Sequence, residues 1–231
     1  MDFLASPEFW LALGQIIIID ILLGGDNAVV IALACRKLPP AQRAKGIIWG
    51  TAGAIVLRVI LIAFAMTLLA LPFLKFVGAL LLVWIGVKLL APDEDGHGDI
   101  QTSDKLLAAI KTIIVADLVM SVDNVIAIAG AAQNAGEHQF LLVVLGLLIS
   151  IPIIVWGSQL VIKLMERFPM IITLGGMLLG WIAGGMLVTD PVDAPWFEQA
   201  IPYADTAVGS LGALIVVIAG RWMSRRLLRQ M

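Results

Sequence analysis

Four aspartates stand inside apolar stretches of this chain, and their spacing repeats. Residues 20–33 read DILLGGDNAVVIAL and residues 117–130 read DLVMSVDNVIAIAG. Asp20, Asp26 and Asn27 therefore recur as Asp117, Asp123 and Asn124 in the pattern D-x5-D-N. An ionisable group at the centre of a membrane helix costs about 2.5–3.5 kcal/mol on insertion scales, so four together cost on the order of 10 kcal/mol. A purely structural role offers little to offset that sum, which marks these acids as a candidate site. Their chemistry is specific. Four carboxylates and two amide oxygens, with no histidine or cysteine beside them, form an all-oxygen donor set suited to hard divalent cations such as Mg²⁺, Ca²⁺ or Mn²⁺.

Three neighbours add to the set. Met120 stands where the first copy has Leu23; its thioether either biases the choice of ion or packs against a helix. Ser121 offers a hydroxyl. Arg58, the one basic residue deep in an apolar span, either neutralises an aspartate or competes with the cation as a mobile counter-ion. Four acids less one arginine leave a formal charge of about −3, reduced to about −1 by one divalent cation. Like charges this close favour a proton on at least one acid when the metal is absent, so exchange of metal for protons is expected, with Asp20 and Asp117 as the proton-carrying pair.

The elements that must position these residues are membrane helices. The chain is 61% hydrophobic with only 14% charged residues, and its mean hydropathy is +1.02. That composition predicts an all-α polytopic membrane protein in contact with the lipid bilayer. The single cysteine, Cys35, excludes an internal disulfide and a thiolate metal cluster. The opening residues MDFLASPEFW carry Asp2 and Glu8 but no basic group, so the first apolar stretch is expected to be retained. Seven stretches approach the ~20 residues that a crossing helix needs. They fall at residues 9–34, 46–70, 73–90, 106–132, 140–163, 169–188 and 206–222, the last being short.

Lysine and arginine alternate between the connections. Arg36, Lys37, Arg43 and Lys45 follow the first stretch, and Lys88, Lys105 and Lys111 flank the third connection. Lys163 and Arg167 follow the fifth stretch; Arg221, Arg225, Arg226 and Arg229 follow the seventh. The opposite side holds only Lys75, with Asp2, Glu8, Glu137, Asp190, Asp193 and Glu198. The positive-inside rule then predicts an outside N-terminus and a cytoplasmic C-terminus. Trp10, Trp196 and Tyr203 on one side, and Trp49 and Trp222 on the other, fit interfacial anchors. The polar segment 92–105, PDEDGHGDIQTSDK with His97, reads as a solvated linker or as a gatherer of cations.

The 97-residue offset extends beyond the acids. Pro72, Gly78, Leu81-Leu82, Trp84-Ile85 and Asp93 match Pro169, Gly175, Leu178-Leu179, Trp181-Ile182 and Asp190 without a gap. This predicts two three-helix repeats, residues 1–90 and 106–188, joined by the linker 91–105 and followed by a seventh helix and basic tail within 189–231. Three is odd, so the second repeat starts on the other side of the membrane and the repeat is inverted. Asp20 and Asp117 each fall about eleven residues into their spans, near the bilayer midplane. Residues seven apart share a helix face, so Asp20 and Asn27 converge while Asp26 points elsewhere. A break at Gly24-Gly25 would re-aim Asp26; Ser121-Val122 makes a break in the second copy less expected. Gly176, Gly180 and Gly184, and Gly46, Gly50 and Ala54, predict close helix approaches, and Pro152 a kink.

LGGDNAVVIAL and SVDNVIAIAG, each following an aspartate by a few residues in a seven-span chain, resemble the TerC integral membrane family of the lysine-exporter-like superfamily. The resemblance covers about residues 9–222. It implies an inverted-repeat carrier in a bacterial-type plasma membrane that exports a divalent metal, chiefly Mn²⁺, with older links to tellurium resistance. The family's motif acids map onto Asp20, Asp26, Asn27, Asp117, Asp123 and Asn124. Two rivals stand beside the carrier. One is a membrane scaffold that delivers metal to envelope-protein partners or forms a homo-oligomer; the other is an intramembrane aspartyl protease, disfavoured because GGD occurs once and its partner reads SVD. The expectation is a non-enzyme without a bound cofactor or nucleic-acid partner, and without a nucleotide-binding loop for ATP drive.

Overall fold

The computed structural model describes residues 7–64, 71–91, 102–132, 139–190, 192, 194–200 and 203–228, and among these every regular element is a helix. The helices are α1 (Pro7–Leu23), α2 (Gly25–Cys35), α3 (Pro40–Ala63), α4 (Leu74–Leu90), α5 (Thr102–Ala132), α6 (Gln139–Arg167), α7 (Met170–Val188), α8 (Ala194–Ala200) and α9 (Ala204–Leu228). Their sequences are apolar over most of the circumference, and large side chains such as Leu22, Trp49, Trp156 and Ile218 are exposed on their outer faces. Helices apolar on every side are those of a membrane interior. Four of them, α3, α6, α7 and α9, are long and apolar enough to cross a bilayer, and α1 with α2 makes a fifth as a bent pair. α4 has 17 residues and rises about 26 Å, while α5 has 31 and carries five charged residues. The chain is an integral membrane protein.

Several boundaries differ from those read in the sequence. α3 begins at Pro40, whose fixed φ suits a first helical turn. α9 runs from Ala204 to Leu228, so the seventh element is long, not short. α5 starts at Thr102 and takes Asp104 and Lys105 into its first turn, so the polar linker ends earlier than expected. α6 continues through Pro152 as one helix. Short α8, between α7 and α9, has no counterpart in the sequence reading. His97, Asp93 and most of the acidic segment lie outside the described residues, as do Glu137, Asp193 and Arg229.

α3 packs along α5, while α1 and α2 pack along α6; α4 lies against α7, and α9 covers both. The first two pairings are the same pairing with the halves of the chain exchanged. Contact is close where glycines allow it. A Cβ on Gly180 would stand 2.3 Å from the Gly212 carbonyl oxygen, and one on Gly184 would stand 2.4 Å from that of Val208. α7 and α9 therefore touch backbone to backbone.

The two ends of the bundle differ in charge. Arg43 donates to the carbonyls of Leu38 and Arg36 and pairs with Glu166 at the end of α6. Lys37, Lys88 and Lys105 share one cavity of about 400 Å³, and Arg36 and Arg221 share another of about 340 Å³. The ends of α2, α4 and α6 and the starts of α3, α5 and α7 thus meet at one basic end. At the other end Asp190, fully buried, accepts the backbone N–H groups of Phe73, Lys75, Phe76 and Val192 at 3.1–3.3 Å. This carboxylate supplies the N-terminal cap that α4 lacks locally. It also holds Phe73 at φ 61°, a left-handed conformation unusual for a bulky residue.

Candidate functional site

The break expected at the first motif is present. α1 and α2 meet at Gly24 with a bend of 46°. A Cβ at Gly24 would lie 2.5 Å from the Asp20 carbonyl oxygen and 3.2 Å from Ile154 of α6, so only glycine fits this crossing. The bend makes Asp26 a first-turn residue of α2, where a carboxylate is favoured by the helix dipole. Its Oδ1 accepts the Asn27 backbone N–H at 2.7 Å. The second motif has no such break: α5 is continuous through Ser121 and Val122.

Between the two motifs lies a buried charge cluster. Arg58 of α3 donates from Nη1 to Asp20 Oδ1 at 2.5 Å and from Nη2 to Asp117 Oδ1 at 2.5 Å. Its Nε donates to Ser121 Oγ at 3.0 Å, and the Ser121 hydroxyl donates to Asp117 Oδ2 at 3.0 Å. The burial is nearly complete, with Asp20 1%, Arg58 2%, Asp117 6% and Ser121 0% exposed. One guanidinium therefore joins the first acid of each motif, and the formal charge of the trio is −1. Charges this deep persist only when paired and hydrogen-bonded. Arg58 thus pairs with both acids, as either role read for it requires. The hydroxyl predicted at Ser121 is used.

Asn27 and Asp117 share a cavity of about 10 Å³ with Val30, Ile31 and Ile113. Both side-chain atoms of the Asn27 amide, and Nδ2 of Asn124, are buried without a partner among the described residues. Buried amides are ordinarily satisfied, so these are donors and acceptors awaiting something. Among the described residues no three carboxylates, histidines or cysteines converge as a metal cage. Asp26 is half-buried and bonded within its own turn, and the Asp123 side chain lies outside the described residues. Met120 is buried in the apolar core, consistent with packing. Sequence reasoning missed Ile113 in the cavity wall and, two turns from Arg58 on the same helix, Thr51, whose buried hydroxyl is also unpartnered among the described residues. Thr51 precedes Arg58 by seven residues on the same helix face, the one signal that could have found it.

The profile of the integral membrane protein TerC family matches residues 5–228. This chain belongs to the TerC family. The match spans both motifs and every described helix. Among similar proteins, the uncharacterized membrane protein YjbE of Bacillus subtilis (strain 168) is 45% identical over 183 residues, covering 79% of this chain and 82% of that protein. The UPF0053 inner membrane protein YgdQ of Escherichia coli (strain K12) is 28% identical over 183 residues, covering 72% and 75%. YceF of Bacillus subtilis, another uncharacterized membrane protein, is 28% identical over 191 residues, covering 79% and 72%. No solved structure matches the chain.

Proposed function

We propose that this TerC-family protein is a membrane transporter that exports a divalent metal cation, manganese first, in exchange for protons. In this reading seven spans form two inverted three-helix repeats and a final helix, with the N-terminus outside and the C-terminus cytoplasmic. The protein acts as a carrier and not as an enzyme. The observation that carries the proposal is the cluster Asp20–Arg58–Asp117. It places the first acid of each motif on one buried guanidinium. The pairing of α3 with α5, matched by that of α1 and α2 with α6, supports exchange symmetry between the halves.

The donors supply the chemistry. Asp20, Asp117 and the Asn27 amide are oxygen ligands for a hard cation, with Asp26, Asp123 and Asn124 completing the set from the adjoining turns. Arg58 occupies the acids when no metal is bound, so a divalent cation entering the cluster takes the place of the guanidinium as their counter-charge. Protons returning to Asp20 and Asp117 on the opposite side release the metal.

The test is flux in proteoliposomes of the purified protein. Mn²⁺, Ca²⁺, Mg²⁺ and Zn²⁺ are compared under an imposed pH gradient. Manganese movement that follows the gradient, and that is lost in Asp20→Asn and Asp117→Asn variants which still insert, is expected. Absence of flux for all four ions overturns the carrier. Flux indifferent to the pH gradient removes the proton exchange alone.

A further inference from the structure

Two isoleucines flank the charge cluster on opposite sides. Ile16 precedes Asp20 by four residues in α1, and Ile113 precedes Asp117 by four in α5, so each shares a helix face with its acid. They are also equivalent positions under the 97-residue offset. α1 runs toward the basic end of the bundle and α5 runs away from it. Ile113 therefore lies on the basic side of the cluster and Ile16 on the other, each displaced by about 6 Å along its helix.

Both side chains are seated in notches of a neighbouring helix. A Cβ on Gly146 of α6 would stand 2.5 Å from Ile16 Cγ2, and one on Gly50 of α3 would stand 2.5 Å from Ile113 Cδ1. Ile16 is 0% and Ile113 1% exposed. Ile113 also walls the small cavity that holds Asp117 and the unpartnered Asn27 amide, and Thr51, beside its glycine seat, carries an unpartnered hydroxyl. On the basic side of the cluster, Ile113 thus borders the polar groups that a hydrated ion would seek, as part of the apolar core packed there. Constrictions of this kind close by excluding water.

We infer that Ile113 and Ile16 are the two gates of the site, and that Gly50 and Gly146 are the seats into which they close. Withdrawal of Ile113 opens the cluster toward the basic end; withdrawal of Ile16 opens it toward the other. Both are seated in this structure, so the site is closed on both sides. The purpose of the gates rests on the transporter reading, but their existence is measurable without transport.

The experiment uses the full-length protein in oriented vesicles. Cys35 is replaced by alanine, and Ile31→Cys in the cavity wall serves as reporter for a membrane-impermeant thiol reagent added at the basic end. Ile113→Ala is expected to speed labelling at least tenfold, and Ile16→Ala to leave it unchanged. Gly50→Ala, which forces the flexible end of Ile113 out of its seat, should speed labelling as well. If Ile113→Ala does not accumulate, Ile113→Val, which removes one methylene, is used and should raise labelling measurably. Labelling that is indifferent to both Ile113 and Gly50, or equally raised by Ile16→Ala, overturns the gates. Faster labelling in a protein that carries no metal would uphold the gates and reject the carrier; metal flux with indifferent labelling would do the reverse.

Discussion

Replacing Arg58 with methionine tests the cluster most directly. The change keeps an apolar stem of similar reach but removes the bonds to Asp20, Asp117 and Ser121 together. Two buried carboxylates are then left facing each other without a counter-charge. Removing one partner of a buried ion pair costs about 3–5 kcal/mol. In a chain of this size each kcal/mol moves the midpoint of thermal unfolding by about 2–4 °C, so a loss of roughly 6–20 °C is expected. Neutralising the acids as well, in the triple variant Arg58→Met, Asp20→Asn, Asp117→Asn, should recover most of it. The remaining deficit is that of imperfectly bonded amides, about 1–3 kcal/mol. Manganese adds a second arm. At a hundredfold excess over its dissociation constant, a ligand stabilises by about 2.7 kcal/mol, so the single variant should regain about 5–10 °C in manganese and the triple variant nothing. Thermal unfolding in detergent, followed by tryptophan fluorescence, reads all four cases. A single variant within about 2 °C of the parent would show that the guanidinium does not hold the acids. An equal response of both variants to manganese would show that Asp20 and Asp117 are not the cation's ligands.

Asp190→Ala removes the acceptor for four backbone N–H groups and should cost about 2 kcal/mol or more, read as a fall in the unfolding midpoint of at least ~4 °C. Gly180→Ala should disturb the α7–α9 contact, because its Cβ would meet backbone, whereas Gly185→Ala, with nothing within 4 Å, should be neutral or stabilising by about 0.5–1 kcal/mol. Denaturation midpoints of the two variants compared side by side decide this. Glu166→Ala breaks an exposed pair with Arg43 and should change stability by less than about 1 kcal/mol. Asp26→Ala should abolish manganese flux while leaving insertion and unfolding close to the parent, since that carboxylate bonds only within its own turn among the described residues.

Hydropathy placed the helices well because lipid imposes one requirement on every turn, and Leu, Ile and Val satisfy it wherever they stand. Helix ends are set by local chemistry, which hydropathy averages away. Pro40 starts α3 six residues before the apolar run, and Arg225 and Arg226 ride in the last turn of α9 after it. At the site, Asp20, Asp117, Ser121 and Arg58 were legible because polar groups in apolar surroundings are conspicuous. Their actual bonding was not, since spacing along a helix says which face a residue occupies but not what lies opposite. The bend at Gly24 was readable from two adjacent glycines. Its absence at Ser121 follows from a hydroxyl that bonds Asp117 four residues back without disturbing the helix. Ile113 and Ile16 were invisible among dozens of apolar neighbours; a glycine seat combined with a place one turn before Asp117 and Asp20 distinguishes them.

The clasp of Asp190 on α4 has a consequence in time. A ribosome makes Phe73 and then 117 further residues before Asp190 exists. At about 5–20 residues per second, that interval is roughly 6–23 s. Throughout it the left-handed turn at Phe73 has no carboxylate to hold it, and the first amides of α4 have no cap from the chain. The early half of the protein is therefore born with one helix end open, and it is the last stretch before α8 that closes it. A chain cut short just before residue 190 would keep α1 to α7 and still lack the fastening that ties α4 to the end of α7.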